Sequence, residues 1–231
     1  MNDSAATVLC FGEILWDFLP TGLFPGGAPF NVAYHLNRLG INAVPVSAVG
    51  RDILGEELQR RLKHGEIPTD LICHHQGLPT GTVRAALGPG GDASYEIATS
   101  VAWDQVAVDE DVVRAAVGAR ALVFGSLALR SSFNRNALKR ILTVLPAEAL
   151  RVFDVNLRPP HDDVALVREL APRASLLKLN AEEAARLADR DQETSGNEEA
   201  HARALADATG CALICITAGE RGAGLLVNRV W

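Results

Sequence analysis

The residues with the clearest capacity for chemistry lie between Gly26 and Ala33, where two glycines open a helical pattern and Asn31 stands among apolar neighbours. Without a Cβ, Gly26 and Gly27 let a ligand approach the backbone, and the start of the following helix presents unpaired N–H groups and the positive end of its dipole. These features predict a site for a polar ligand. For the glycines alone, a glycine turn with Pro29 in the first turn of an ordinary helix is the alternative.

Asp17 is the second candidate, because it follows the apolar run Ile14-Leu15-Trp16 and so places a carboxylate beside a hydrophobic wall. Such a carboxylate can accept hydrogen bonds from two neighbouring hydroxyl groups of a ligand. A surface aspartate that caps a turn is the alternative. The nearby glycine-rich segment favours the binding role.

A third group consists of Asp154, Asn156 and Arg158, which come where a buried strand ends. Strand alternation predicts that their side chains lie on one side at the carboxyl end of the sheet, where open α/β sheets bind ligands. The planar guanidinium group of Arg158 suits an anion such as a phosphate. A turn held by side-chain hydrogen bonds is the alternative interpretation.

Two further segments follow later strands. Asn180 precedes Glu183 by three residues at a strand-to-helix junction, which by itself predicts a helix N-cap and a capping box. Thr217 and Gly219 follow the last core strand, and a plain strand followed by a turn explains them equally well. The sequence contains no Gly-x-x-x-x-Gly-Lys-Ser/Thr pattern, so phosphate groups would have to be held by means other than a P-loop.

The elements that position these residues alternate between short apolar runs and amphipathic stretches, which predicts the α/β class with a mostly parallel sheet wrapped by helices. Most of the predicted core strands are apolar on both faces, as a covered parallel sheet requires. The predicted strands are 8–11, 44–49, 121–124, 151–155, 176–179 and 212–217. The predicted helices are 29–39, 55–64, 110–117, 134–145, 163–170, 181–188 and 198–209.

Two segments break this alternation, residues 14–23 and residues 80–98. In the second segment, two alternating runs flank a turn at residues 88–92, which is a hairpin pattern. Strands of this kind predict a separate small sheet. The sequence shows no repeat, low-complexity stretch or linker, so one large domain is expected.

Composition narrows the class of partner. The 231 residues are 48% hydrophobic, which is enough to bury the core of one large domain. A net charge of -6 with scattered basic residues argues against nucleic acid or an anionic membrane and favours a small molecule. No run reaches the ~20 apolar residues of a membrane span, and no basic segment precedes the first apolar run, so a cytoplasmic protein is expected.

Metal chemistry at cysteine or histidine is not expected. The four cysteines form no CxxC pair and lie in apolar surroundings, which favours reduced, buried thiols. The adjacent pair His74-His75 has no carboxylate or cysteine at ligand spacing, so we expect it in a loop or at a strand edge.

The glycine pair, the Asn31-Val32-Ala33 that follows and the Leu-Gly end of this helix together resemble the first signature of the ribokinase-like, or PfkB-type, carbohydrate kinases. With residues 12–20 upstream, the segment is most similar to the fructokinase branch. The resemblance covers practically all of residues 1–231. It implies a ribokinase-like three-layer α/β/α fold with a small β lid, and an ATP-dependent kinase that uses Mg²⁺ to phosphorylate a sugar hydroxyl.

The resemblance also implies roles for particular residues. These are sugar binding by Asp17, Gly27 and Asn31, contact with substrate and transferred phosphate by Arg158, nucleotide binding by Asn180, Thr217 and Gly219, and magnesium binding through water by Glu183. A homodimer formed through the lid is a further implication. Which sugar is phosphorylated stays open.

One motif of the family does not occur in the 231 residues, the Gly-Ala-Gly-Asp whose aspartate takes the proton from the sugar hydroxyl. Gly222-Ala223-Gly224 has its first three letters, but Leu225 stands in place of the acid. The resemblance therefore implies that the family base lies beyond Trp231. The alternative to a kinase is a truncated product that binds sugar or nucleotide without turnover. A Rossmann oxidoreductase is disfavoured, because no Gly-x-Gly-x-x-Gly follows the first strand.

Overall fold

The computed structural model describes residues 7–87, 93–189 and 196–231, so the turn predicted at residues 88–92 lies outside the described residues. The chain divides into two compact units. Unit 1 comprises Met1–Arg120 and Ala128–Ala149, and unit 2 comprises Ala121–Leu127 and Leu150–Trp231.

Strands and helices have the following bounds. The strands are β1 (Thr7–Phe11), β2 (Leu15–Leu19), β3 (Gly22–Gly26), β4 (Ala43–Gly50), β5 (Ile72–His75), β6 (Gly81–Leu87), β7 (Ala93–Ile97), β8 (Ala119–Gly125), β9 (Leu150–Asp154), β10 (Leu176–Asn180), β11 (Leu213–Thr217) and β12 (Ala223–Val227). The helices are α1 (Ala28–Arg38), α2 (Ile53–His64), α3 (Glu110–Val117), α4 (Ser132–Val144), α5 (Val164–Leu170), α6 (Ala181–Leu187) and α7 (Glu198–Thr209).

Unit 1 contains two sheets. Its parallel strands have the order β1-β4-β5. A second, four-stranded sheet has the order β3-β2-β6-β7, in which β2 and β6 are parallel and the other neighbours are antiparallel. The strands of this small sheet come from the two segments that break the sequence alternation.

Unit 2 has the strand order β12-β11-β10-β9-β8. The strands from β8 to β11 are parallel, and β12 pairs with β11 in the antiparallel direction. Parallel strands connected by helices, accompanied by a small second sheet, confirm the predicted α/β class.

Local sequence explains where several helices begin. A polar side chain just before the first helical residue accepts a hydrogen bond from a backbone N–H of the first turn, which would otherwise lack a partner. The residues that do this are Asp52 for α2, Asp109 for α3, Ser131 for α4, Asp163 for α5 and Asn180 for α6.

The core of unit 1 near the second sheet is an apolar cluster of buried side chains. Its members are Ile14, Trp16, Phe30, Val49, Leu58, Leu62, Ile67 and Ile72. In unit 2, the rings of Phe124 and Phe153 stack with centroids 4.9 Å apart between β8 and β9. These contacts hold the strands whose ends carry the candidate site residues.

Two elements differ from the sequence-based expectation. The strands β5 and β12 are additional to the predicted core strands, and β12 follows the Thr217-Gly219 segment. The His74-His75 pair lies in β5, the edge strand of its sheet, which agrees with the expectation of a loop or a strand edge. The four cysteines are free thiols, but only Cys10 and Cys211 are buried, whereas the other two are half-buried. Burial raises the pKa of the Cys10 thiol to about 12. Among the described helices, none is long and apolar enough to cross a membrane.

His201 in α7 is fully buried, and neither of its ring nitrogens has a hydrogen-bond partner among the described residues. Burying a polar group without a partner costs free energy that an apolar group of similar shape does not. We therefore expect His201→Leu to raise the free energy of unfolding by about 1–3 kcal/mol. Urea denaturation followed by circular dichroism measures this change.

The control is His74→Leu, because His74 is exposed on β5. Its effect on unfolding should stay within about 0.5 kcal/mol. A His201→Leu protein less stable than the wild type would contradict the prediction.

Candidate functional site

The Asp17 carboxylate occupies the space that Gly26 leaves free. Asp17 lies opposite Phe24 in the β2–β3 pair, and Gly26 is two residues further along β3 on the same face. A Cβ atom at Gly26 would lie 2.8 Å from the Asp17 Cγ and nearer still to Oδ2. A side chain at Gly26 would therefore displace the carboxylate. Partial burial in this position raises the pKa of Asp17.

The apolar surroundings of Asp17 differ from those expected from its sequence neighbours. Trp16 lies on the opposite face of β2, because successive side chains alternate, and its indole is fully buried in the apolar cluster. The residues on the Asp17 face are Leu15 and Leu19 of the same strand and the two cross-strand partners Phe24 and Val83. The hydrophobic wall is thus made by β2 and its neighbouring strands, without Trp16.

Glu13, which is not among the site residues predicted from the sequence, organises the start of α1. Its Oε1 accepts a hydrogen bond of 3.0 Å from the Ala28 backbone N–H, and the side chain is almost fully buried. Gly27 has a φ of 112°, and a Cβ there would lie 2.9 Å from the Glu13 carbonyl carbon. Only glycine fits this close approach of two backbones. The signal in the sequence is an acidic residue inside an otherwise apolar run.

Asn31 lies in the first turn of α1, where its backbone N–H donates to the Gly27 carbonyl at 2.8 Å. Its side chain is exposed, whereas those of Phe30 and Ala33 are buried. The apolar sequence neighbours of Asn31 therefore do not enclose its side chain, because helical periodicity turns Phe30 and Ala33 to the core. The amide is left accessible to a ligand.

In unit 2, Asp154 and Lys178 form a cross-strand ion pair. They lie opposite each other in β9 and β10, and Lys178 Nζ is 2.9 Å from Asp154 Oδ1. The Asp154 side chain is 13% exposed and that of Lys178 is 39% exposed, so the ammonium group stays accessible to an anion. Lys178 is not among the residues predicted from the sequence, although a lysine inside an apolar strand is the available signal.

The loop after β9 departs from the predicted alternation. The strand ends at Asp154, and Asn156 has a left-handed φ of 46°. Strand alternation therefore stops before Arg158, which is exposed and donates from Nη1 to the Leu157 carbonyl at 2.9 Å. Strand alternation therefore cannot be what would bring the three polar side chains to one side, because the strand ends before Asn156 and Arg158. The Ser126 hydroxyl donates to the Val155 carbonyl and holds the strand end.

Glu183 joins the start of α6 to the loop after β9. Its Oε2 accepts from the Asn180 N–H at 2.9 Å while Asn180 Oδ1 accepts from the Glu183 N–H at 2.7 Å, which confirms the predicted capping box. Its Oε1 accepts from the Leu157 N–H at 2.7 Å. Burial is the main influence and raises the pKa of Glu183. One buried carboxylate thus fixes two backbone segments.

Asn180 and Thr217 lie side by side at the carboxyl ends of β10 and β11, where they are register partners. The Thr217 hydroxyl donates to the Leu179 carbonyl at 3.4 Å. Gly219 is exposed, with a φ of 58° and open space around the position of a Cβ. The structure therefore brings these candidate nucleotide residues to one strand end within unit 2.

The two units offer different chemistry. Unit 1 presents the Asp17 carboxylate and the Asn31 amide, which suit hydroxyl groups, and unit 2 presents the cationic side chains of Lys178 and Arg158, which suit phosphate oxygens. Among the described residues, no group of three or more His, Cys, Asp or Glu side chains could hold a metal ion.

Comparison with known proteins gives the chain's relatives. The model of the pfkB family carbohydrate kinases matches residues 12–229. A putative sugar kinase of Pyrococcus horikoshii is 28% identical over 249 residues, covering 99% of this chain and 74% of that protein. The fructokinase of Salmonella typhimurium is 30% identical over 189 residues, covering 77% of this chain. That alignment spans 61% of the fructokinase, less than two thirds of its length.

Solved structures show the same fold. The Pyrococcus horikoshii sugar kinase in complex with ATP has a TM-score of 0.77 and 26% identity, covering 97% of this chain and 74% of its own. The fructokinase of Vibrio cholerae O395 with fructose, ADP and calcium ion has a TM-score of 0.80 and 23% identity, covering 99% and 75%. These similarities confirm the predicted ribokinase-like fold.

The double hydrogen bonding of Glu183 leads to a prediction about stability. In Glu183→Gln, one carboxylate oxygen becomes an NH₂ group that faces a backbone N–H, so one buried donor loses its acceptor. We expect the free energy of unfolding to fall by about 1–3 kcal/mol and the amide hydrogen of Leu157 or Asn180 to exchange faster. Urea denaturation and hydrogen exchange measure both effects.

Glu182→Gln is the matched control, since Glu182 is the preceding residue of α6 and is exposed. It should leave both quantities unchanged. Equal stabilities for the two variants would show that the Glu183 contacts contribute nothing.

Proposed function

Since this chain belongs to the pfkB family of carbohydrate kinases, we propose that it transfers the γ-phosphate of ATP to a hydroxyl group of a sugar, with fructose as the preferred substrate. The choice of fructose rests on the curated relatives named fructokinase. The observation in the chain itself that carries the proposal is the Asp17 carboxylate, which lies over the Cα of Gly26 on the small second sheet.

In this function, the sugar binds at unit 1. The Asp17 carboxylate accepts hydrogen bonds from two sugar hydroxyl groups, and the accessible Asn31 amide makes a further polar contact. Gly27 lets the ligand approach the backbone at the start of α1. The second sheet acts as a lid over the sugar and also provides the surface for a homodimer.

The nucleotide binds at unit 2. Thr217, Gly219 and Asn180 contact ATP at the carboxyl ends of β10 and β11. The guanidinium group of Arg158 contacts the phosphate that is transferred and lowers the energy of the charge on its oxygens. Phosphoryl transfer depends mainly on positioning and electrostatic stabilisation, which is work that such groups can do.

Magnesium supplies charge neutralisation at the phosphates when it is bound. Both oxygens of Glu183 already accept backbone N–H groups, so this carboxylate suits a hydrated ion better than direct coordination. Magnesium keeps several water ligands in many protein sites, which fits contact through water. Glu183 would hold the ion in this way while it maintains the start of α6.

The second candidate function is binding of sugar or nucleotide without turnover. The observation that favours it is that the base for the sugar hydroxyl is unassigned among residues 1–231. A coupled assay of ATP turnover with fructose, run together with calorimetry, separates the two. Turnover supports the kinase, binding of fructose and ADP without turnover supports the second function, and binding of neither overturns both.

Substitution of the sugar residues should separate the two ligands. We expect Asp17→Ala and Asn31→Ala each to weaken fructose binding while ADP affinity stays nearly unchanged. A lost hydrogen bond to a charged group is worth about 1.5–3 kcal/mol, which corresponds to at least a tenfold rise in Kd for Asp17→Ala. Calorimetry with each ligand measures both constants.

Asp111→Ala and Asn136→Ala are matched controls, because both residues are exposed on helices of unit 1. They should leave both affinities unchanged. An equal loss for fructose and ADP, or no loss for either, would refute the assignment of Asp17 and Asn31.

The pH dependence of sugar binding follows from the raised pKa of Asp17. Only the ionised carboxylate accepts a hydrogen bond on each oxygen, so fructose affinity is full above this pKa and is lost as the pH falls through it. The loss should begin at a higher pH than for an ordinary aspartate. Calorimetry between about pH 4 and pH 8 measures it, and the step should vanish in Asp17→Asn. The same step in that variant would exclude Asp17 as its origin.

A further inference from the structure

A buried ion pair lies beside the end of the second sheet at which β6 begins and β7 ends. We call this end, marked by Gly81 and Ala98, the base of the sheet. Arg130 Nε and Nη2 lie 2.7 Å and 2.9 Å from the two carboxylate oxygens of Asp104. The side chains are 9% and 13% exposed, so water screens the pair little. Two parallel N–H···O contacts fix the orientation of the guanidinium group as well as its position.

The same guanidinium group reaches both strands of the β6–β7 hairpin. Its Nη2 donates to the carbonyl of Ala98, the residue after β7, at 2.7 Å. Its central carbon lies 4.0 Å from the centre of the Trp103 ring, a cation–π distance. The Trp103 indole in turn packs on Gly81, the first residue of β6, where a Cβ would lie 2.5 Å from the ring Cδ1. One ion pair therefore holds the end of β7 directly and the start of β6 through Trp103.

From this base, hydrogen bonds continue to the strand that carries the candidate sugar residue. The Ala98 N–H donates to the Thr82 carbonyl of β6 at 3.0 Å. Thr82 is the register partner of Trp16 in β2, and the next register pair is Asp17 with Val83. A displacement of Ala98 would therefore be transmitted through β6 to the strand position of Asp17.

A second set of hydrogen bonds, made just before β6, limits the displacement of this strand. The Asp52 carboxylate accepts from the Thr80 hydroxyl at 2.6 Å and from the Thr80 N–H at 2.8 Å, immediately before β6. Loss of the Arg130–Asp104 pair would thus loosen the hairpin at the β7 side without detaching the start of β6. The expected consequence is that β6 and the neighbouring β2 are held less firmly in position, while the protein stays folded.

We propose that the Arg130–Asp104 pair is a positioning element of the sugar site, which fixes the base of the second sheet and thereby the Asp17 carboxylate. The inference rests on the proposed function, because it takes Asp17 as the group that binds the sugar. Neither residue of the pair needs to contact the sugar, so both act through the sheet.

The test is the double substitution Arg130→Met with Asp104→Leu, which replaces the pair by apolar side chains and leaves no buried charge. Replacement of a buried ion pair by packed apolar groups is often neutral for stability. The variant also removes the Asp104 acceptor of the buried Val101 N–H. That loss costs less than the stability of a typical domain, so the variant should fold. We expect backbone amides of β2 and β6 to exchange hydrogen at least about tenfold faster and the Kd for fructose to rise at least about tenfold. The Kd for ADP should stay within about twofold of the wild type.

Two comparisons make this result specific. Arg114→Gln with Asp111→Asn removes an exposed ion pair of the same unit. It should change neither the hydrogen exchange of β2 and β6 nor the Kd for fructose. Arg130→Lys keeps the positive charge but not the two-pronged contact, so it should show the same selective loss of fructose affinity to a smaller extent. A role in stability alone would lower the free energy of unfolding without separating fructose from ADP.

Each result of these measurements either supports or overturns a specific claim. If the wild type binds no fructose, the proposed function fails, and unchanged hydrogen exchange in β2 and β6 of the variant overturns the anchoring role by itself. If the wild type binds fructose and the folded double variant binds it equally well, the positioning role is overturned. If circular dichroism shows that the double variant is unfolded, Arg130→Lys is judged by the same measurements.

Discussion

Close approach at three glycines is the constraint on which the second sheet and the position of the Asp17 carboxylate depend. The missing Cβ of Gly26 leaves room for the Asp17 carboxylate, that of Gly27 admits the Glu13 backbone, and that of Gly81 admits the Trp103 indole. Real Cβ atoms cannot occupy such space, so the side chain or backbone that now fills it would have to move. The position of the Asp17 carboxylate thus depends on the absence of a side chain at Gly26.

Buried and half-buried carboxylates have a common role in both units, since they hold backbone segments at the ends of strands. Glu13 accepts from the first amide of α1, Asp52 from the residue before β6, and Glu183 from the loop after β9. A buried carboxylate is costly unless its oxygens have donors, and here backbone N–H groups supply them. Rigid strand ends help a site to position reacting groups, because misplacement of such a group by about 1 Å can lower the reaction rate 100-fold.

Much of the fold could be predicted from the sequence, because the hydrophobic period is a local property. The six predicted core strands and seven predicted helices are present, with ends that differ by a few residues. The strand β5 escaped because Ile72-Cys73-His74-His75 is short and polar at one end, so its pairing with β4 comes from neighbouring structure rather than from its own pattern. The strand β12 is not among the predicted core strands, because its glycine-rich start is typical of a turn.

The sequence by itself determined the class of fold, the family to which the chain is similar and the identity of the candidate polar residues, because periodicity and motif spacing are written in neighbouring positions. Only the tertiary structure decided how these residues are presented. It placed Trp16 behind Asp17, turned Asn31 outward and ended strand alternation before Arg158. It also supplied partners separated by 15 to 26 residues, in Glu13 with Ala28 and in Arg130 with Asp104. Such pairs form only when packing brings distant segments together, so no local pattern announces them.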